Sequence, residues 1–177
     1  MKRKIVEFLL ILLFYLIQIT FGNAISIGNI APNLLIILPV LFGFFNGKNE
    51  GMYLGFVSGM FYDLFSSSLF GFSALIFVYV GYLSGMFYKE YEKVEILIPL
   101  AIVIISDFAY EFMMCIGMFL LHGRLNMGYF ISRFIMPEVV YTAIVTLVIY
   151  YPSMYLDLWL NKEWGKKRKG MLDEGSI

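Results

Sequence analysis

The sequence predicts an all-α integral membrane protein with six transmembrane helices and both termini in the cytoplasm. Of its 177 residues, 60% are hydrophobic and 15% are charged, and the mean hydropathy is +0.81. A soluble domain is nearer half apolar and a quarter charged. The chain therefore belongs in a membrane, and no polar stretch is long enough to bury a separate core.

Six apolar segments are separated by turn and loop signals. Their predicted ranges are 5–21, 33–45, 50–65, 69–88, 96–121 and 128–156. The basic start and the small residues 22–24 could also belong to a signal peptide, but the apolar run exceeds the roughly 7–15 residues usual there. We therefore expect an uncleaved first helix. Gln18 lies deep in it and is expected to face another helix rather than lipid.

The positions of the basic residues support this count. With both ends inside, eleven of the thirteen basic residues face the cytoplasm, and only Arg124 and Arg133 fall toward the outside. The eleven are Lys2, Arg3, Lys4, Lys48, Lys89, Lys93, Lys162, Lys166, Lys167, Arg168 and Lys169. This is the distribution that the positive-inside rule favours. We divide the chain into a six-span domain, residues 1–160, and a basic cytoplasmic tail, residues 161–177.

A glycine ladder marks the third segment. Gly51, Gly55 and Gly59 recur every four residues, and Asp63 occupies the next position of the same register. On a helix these positions form one ridge of nearly bare backbone, which lets another helix approach closely. Either a neighbouring helix of this chain packs on the ridge, or the transmembrane helix of a partner does. Asp63 is either an interfacial carboxylate that caps the turn at Ser66–Ser68 or part of a functional polar contact.

Four charged residues fall inside the last two segments. Asp107 and Glu111 lie on one face of the fifth, while Arg133 and Glu138 lie in the first half of the sixth. Charges at such positions are costly and usually face a protein interior or a cavity. They form a predicted intramembrane polar network, in which Arg133 could pair with Asp107 or Glu111. The network could hold helices in register, line a ligand pocket or contact a partner.

The residues give no support to an enzyme. The single cysteine, Cys115, leaves no cysteine cluster for a metal, and the single histidine, His122, falls in a predicted outer loop. There is no phosphate-binding loop or dinucleotide fingerprint, and no histidine completes a dyad with Ser58. We therefore expect a protein without catalytic residues, metal or cofactor, and without a nucleic-acid partner.

Several local motifs resemble the family of the rod-shape-determining protein MreD. The resemblance covers most of the chain and is most specific in the second to fourth segments. It rests on Pro32-Asn33-Leu34-Leu35, Glu50-Gly51, the glycine ladder, Asp63-Leu64-Phe65-Ser66, and Gly71 through Gly81-Tyr82-Leu83-Ser84-Gly85. This chain has Asn33 where that family usually has an acidic residue.

The resemblance implies a subunit of the cell-elongation machinery in the bacterial inner membrane. Its implied partners are the bitopic protein MreC, the filament protein MreB, a RodA-type glycan polymerase and a class B penicillin-binding protein, besides membrane lipid. It also implies a fold similar to the substrate-binding subunits of energy-coupling-factor transporters.

Two alternatives stay open at this point. The first is a vitamin-binding subunit of such a transporter, with Asp107, Glu111 and Arg133 lining its pocket. The first segment contains no alanine, although that class often carries spaced alanines there. The second is a transporter of a lipid or glycan precursor, for which no signature is present.

Overall fold

Six helical rods make up the described part of the chain in the computed structural model, which covers residues 2–25, 30–65, 70–88, 96–122 and 127–174. The first five rods are α1 (Lys2–Ile25), α2 (Leu34–Asn46), α3 (Lys48–Phe65), α4 (Phe72–Met86) and α5 (Leu97–His122). The sixth is a continuous run of α6 (Met127–Phe130), a π-helical segment (Ile131–Ile135) and α7 (Met136–Glu174). These ranges contain no strand, and the predicted all-α class is confirmed.

Helix α2 is the centre of the bundle. Every residue from Leu34 to Phe45 is buried, and the helix contacts α1, α3, α4, α5 and α7. At 1.5 Å per residue its 13 residues extend about 20 Å, less than a hydrocarbon core of about 30 Å. Because other helices surround it, this short helix does not expose its ends directly to lipid.

The start of α2 is held by polar side chains of two other helices. The backbone N–H of Leu34 donates to Gln18 Oε1 of α1 at 3.0 Å, which confirms that Gln18 faces another helix. The backbone N–H of Asn33 donates to Thr142 Oγ1 of α7 at 3.1 Å. These bonds satisfy donors at a helix start that lies inside the protein.

A single residue joins α2 to α3. Gly47 has φ 93°, a backbone conformation that glycine adopts without strain, and its N–H donates to the Gly43 carbonyl at 2.8 Å. The tight turn predicted at residues 46–49 is therefore present. It makes α2 and α3 an antiparallel pair, against which α4 packs.

Two segments of the described residues are long and apolar enough to cross a membrane by themselves, Leu97–Gly117 and Ile131–Leu160. Helices α2 and α4 are apolar but shorter. The count of six spans and the orientation of the termini therefore stay predictions.

Some predicted boundaries are wrong. Helix α1 continues to Ile25, four residues past the predicted first segment at 5–21. Helix α7 is helical to Glu174, and the division into a domain at 1–160 and a cytoplasmic tail at 161–177 stays a prediction. Extending an existing helix costs far less than nucleating one, so polar and small residues can continue a helix that an apolar segment has started. The predicted loops at 66–68 and 89–93 lie outside the described residues, as does the predicted loop at 122–126 apart from His122, which is the last residue of α5.

Candidate functional site

The glycine ridge of α3 is covered by α4 of the same chain. A methyl group at Gly55 would lie 2.6 Å from the carbonyl carbon of Phe77, and one at Gly59 would lie 2.7 Å from the backbone nitrogen of Ala74. Backbone atoms cannot move aside as the end of a flexible side chain can, so even an alanine at either position would force the helices apart.

Glycines of three helices meet at one end of this ridge. A methyl group at Gly51 of α3 would overlap the carbonyl of Gly81 of α4 and lie 2.9 Å from the Cα of Gly43 of α2. Next to this junction, Ser84 Oγ donates to the Val40 carbonyl at 2.6 Å. Close backbone approach and an interhelical hydrogen bond therefore fix α4 against both α2 and α3.

Asp63 caps the start of α4. Its carboxylate accepts hydrogen bonds from the backbone N–H groups of Gly71 at 2.9 Å, Ser73 at 3.2 Å and Ala74 at 3.1 Å. A carboxylate at a helix N-terminus satisfies donors that the helix leaves unpaired and interacts favourably with the helix dipole. The cap predicted at Ser66–Ser68 lies outside the described residues.

Of the two interpretations of the ridge, the structure shows packing within the chain. Gly51, Gly55 and Gly59 contact α4, and Asp63 binds its first turn. Docking of a partner helix at these four residues stays a prediction, and it would require α4 to leave the ridge.

A concave apolar surface follows the outer side of the α3–α4 pair. We name it the α3–α4 groove; its volume is about 550 Å³. It is lined by Met52, Phe56, Met60, Gly71, Ala74, Leu75, Val78, Tyr79 and Tyr82. Met52, Phe56 and Met60 each follow a ridge glycine by one residue, so the close approach of the two helices shapes this groove. It has the apolar character and the two-helix geometry that accommodate a transmembrane helix.

Asp107 and Glu111 of α5 and Glu138 of α7 are fully or partly buried, and we name them the acidic cluster. The three carboxyl groups lie within electrostatic range of one another and of Tyr62 of α3. Asp107 is fully buried beside the side chains of Asn33 and Thr142. The predicted intramembrane polar network of Asp107, Glu111, Arg133 and Glu138 stays a prediction.

Arg133 does not join the acidic cluster. It lies in the π-helical segment with its side chain exposed, and none of the ion pairs among the described residues includes it. The expected pairing of Arg133 with Asp107 or Glu111 is therefore absent. A π-helical turn contains an extra residue, which changes the direction of its side chains relative to an α-helix.

A second polar cluster, at the other end of the bundle, is one that the sequence analysis missed. Arg3 Nε pairs with Glu7 Oε1 at 2.8 Å, and Arg3 Nη2 lies 3.8 Å from Asp157 Oδ1. Asn46 Nδ2 donates to the same Asp157 oxygen at 2.7 Å. Lys4 pairs with Glu50. We name these residues the terminal cluster. It joins the starts of α1 and α3 to the end of α2 and to α7. In the sequence, the only feature that these residues share is that each lies at a predicted cytoplasmic end of a helix.

The fold defines a helical membrane protein, with two described segments long and apolar enough to cross a bilayer and with many large apolar side chains on its exposed faces. The family model described as rod shape-determining protein MreD matches residues 2–158. The chain belongs to this family and is therefore a rod-shape-determining membrane protein, of a family that functions with the MreBCD shape-determining system.

Comparison with curated proteins and comparison with solved structures each gave no match. The expected similarity to energy-coupling-factor substrate-binding subunits stays a prediction. No group of three or more described His, Cys, Asp or Glu side chains is arranged to hold a metal ion. The family is known as a structural rather than an enzymatic one.

Proposed function

We propose that this protein is a non-catalytic scaffold of the cell-elongation machinery in the bacterial cytoplasmic membrane, and that it maintains rod shape by binding MreC. The observation that carries the proposal is the family match, which extends over residues 2–158. The two apolar spans and the mainly interhelical use of the described polar side chains support a structural role in the bilayer.

The α3–α4 groove is the proposed contact surface for the transmembrane helix of MreC. Its lining is almost wholly apolar, and Phe56 and Tyr79 project outward with 54% and 62% of their surface exposed. Without a hydrophobic driving force between helices in lipid, shape and close packing decide association, so a concave surface is favoured over a flat one.

The predicted partner-binding residues act through α4 in this proposal. Gly51, Gly55 and Gly59 let α4 approach, and Asp63 holds its first turn in place. Changes at these residues would alter the groove without direct contact with the partner.

The wider assembly follows from the family. MreB, a RodA-type glycan polymerase and a class B penicillin-binding protein are proposed to join through MreC or through the loops and the basic end of α7. The six spans with both termini in the cytoplasm are part of the proposal. They agree with the terminal cluster, which brings Lys4, Asn46, Glu50 and Asp157 to one end of the bundle.

Depletion of the protein in its native bacterium, followed by microscopy, tests the proposed function. Cells are expected to round and widen as the protein is lost, and expression of the wild-type chain is expected to restore rods. Cells that keep their width and shape after depletion would overturn the proposal. Normal shape with a vitamin requirement would instead favour the transporter alternative, which no observation on this structure supports.

A further inference from the structure

The terminal cluster gives the depth of each α7 residue in a bilayer. Asp157 of that cluster lies with Arg3, Lys4 and Glu50 at one polar end of the bundle. A helix rises 1.5 Å per residue and a hydrocarbon core is about 30 Å thick, so about 20 residues cross it. Counted back along α7 from Asp157, this distance ends at about Pro137. Residues before Pro137 therefore lie in the headgroup layer on the opposite side of the bilayer.

Arg133 lies in that headgroup layer. It precedes Pro137 by four residues, or about 6 Å along the helix axis, and a headgroup layer is roughly 5–8 Å deep. Its side chain is exposed, and the ion pairs among the described residues do not include it. Lipid phosphates lie at this depth, and a guanidinium forms paired hydrogen bonds with phosphate oxygens. Arg133 is therefore placed to bind the phosphate of a lipid.

An apolar groove begins about one helical turn deeper, between α7 and the segment before α2. We name it the α7 groove; its volume is about 260 Å³. It is lined by Ile30, Pro137, Val140, Tyr141 and Ile144. From Pro137 to Ile144 it extends about 10 Å toward the centre of the bilayer. Because Ile30 belongs to a different segment of the chain, the groove is a concave surface at the depth of the acyl chains rather than one face of a single helix.

Arg133 and the groove share one side of the helical run. Val140, Tyr141 and Ile144 follow Pro137 by three, four and seven residues, the spacing of one helix face, and Arg133 precedes Pro137 by four. Arg133, Pro137, Val140 and Ile144 are all exposed. From the headgroup layer inward, this face therefore presents first a cation and then an apolar groove.

We propose that this face binds one phospholipid, with its phosphate at Arg133 and one acyl chain in the α7 groove. In a phospholipid the phosphate lies nearer to water than the acyl chains, and the same order runs along the helix from Arg133 to Ile144. Free phosphate would use only the guanidinium, whereas a lipid uses the guanidinium and the groove together. These two contacts distinguish the bound lipid from the lipids that cover the other exposed faces. The site does not depend on the proposed scaffold function.

Native mass spectrometry of the purified full-length chain tests the site through the retention of added lipid. Dioleoyl phosphatidylglycerol and dioleoyl phosphatidylcholine both contain the phosphodiester, and dioleoylglycerol has the same acyl chains without it. The wild type is expected to retain one molecule of either phospholipid about tenfold better than dioleoylglycerol, because a charged donor binds the phosphate. Arg133→Gln is expected to remove this preference, and Arg133→Lys is expected to keep part of it.

Matched variants control for general effects of charge and size. Lys48 is an exposed cation at the opposite end of the bundle, and Lys48→Gln is expected to leave the preference unchanged. Ile144→Trp fills the α7 groove and is expected to abolish retention of both phospholipids. Val148→Trp, at a 70% exposed position outside the groove, is expected to leave their retention unchanged.

Several results would overturn the proposal. Equal retention of phospholipid and dioleoylglycerol by the wild type is one, and an unchanged preference in Arg133→Gln is another. Equal loss of the preference in Lys48→Gln and Arg133→Gln would show a general attraction by cations. Retention of phosphatidylglycerol without phosphatidylcholine would show recognition of net charge rather than of phosphate. Full competition by free glycerol phosphate, or unchanged retention in Ile144→Trp, would show that the groove contributes nothing.

Discussion

At the scale of single residues, Asp63 shows most clearly how one side chain determines the position of a whole helix. Its carboxylate accepts hydrogen bonds from three backbone N–H groups at the start of α4. The glycine ridge would bring α4 close to α3 even if Asp63, at the end of that ridge, were replaced. The cap also fixes the point along the ridge at which α4 begins.

Replacement of Asp63 by alanine is expected to destabilise the protein by about 1–2 kcal/mol, because the first turn of α4 loses its acceptor. Thermal unfolding of the purified protein measures this loss. Asp63→Asn keeps an acceptor oxygen and is expected to retain part of the stability. An unchanged melting temperature in Asp63→Ala would show that the cap contributes nothing.

Arg133 shows where reasoning from the sequence fails at this scale. The depth of Arg133 made pairing with Asp107 or Glu111 reasonable, since ideal helical spacing was assumed. The π-helical segment at residues 131–135 changes the direction of the side chain, and no apolar or charge pattern announced it. Asp107 and Glu111, four residues apart, both lie on the regular helix α5.

At the scale of elements, α3 and α4 form a pair held by backbone contact. The glycine spacing was sufficient to predict a close helix–helix contact, because small residues along one ridge let helix backbones approach. It could not identify the helix in contact, since the same ridge serves a neighbour in the chain and a partner equally well. The structure identifies it as α4, whose backbone lies against all three ridge glycines.

Gly55→Leu and Gly59→Leu are expected to reduce accumulation of the protein itself, by destabilisation of about 3 kcal/mol or more, because leucine would overlap the backbone of α4. Immunoblotting of membranes measures accumulation. Gly117→Leu in α5 is the matched control, since a methyl group there meets no atom within 4 Å. Normal accumulation of Gly55→Leu together with loss of partner binding would support partner docking on the ridge.

The terminal cluster links elements far apart in the sequence. Lys4 of α1 pairs with Glu50 of α3 and also lies 3.9 Å above the ring of Tyr53. Glu50→Lys is expected to lower the melting temperature through repulsion of like charges, and Lys4→Glu in the same chain is expected to restore part of it. A double variant no more stable than either single variant would show that the pair contributes nothing.

At the scale of the whole molecule, the sequence predicted the class of protein well but did not predict which helix lies at the centre of the bundle. The apolar content and the basic residues predicted a helical membrane protein and the order of its apolar segments and connections along the chain. They could not show that α2 is wholly buried, because a central helix and a lipid-facing helix have the same apolar composition.

The orientation of the chain is tested by labelling of single cysteines. In a Cys115→Ala background, Asn126→Cys is expected to react with a membrane-impermeant maleimide in intact spheroplasts, and Asn49→Cys only after permeabilisation. These outcomes follow from both termini lying inside. Labelling of Asn49→Cys in intact spheroplasts would reverse the topology.

The central claim is that this protein maintains rod shape by holding MreC in the membrane at the α3–α4 groove. Photo-crosslinking in living cells tests it most directly, with a photoreactive phenylalanine analogue placed at Tyr79 in the groove or at Tyr155 on the exposed side of α7. The proposal predicts a crosslink to MreC from position 79 and none from position 155, in cells that remain rods. Crosslinks from both positions alike, or none from position 79, would contradict it.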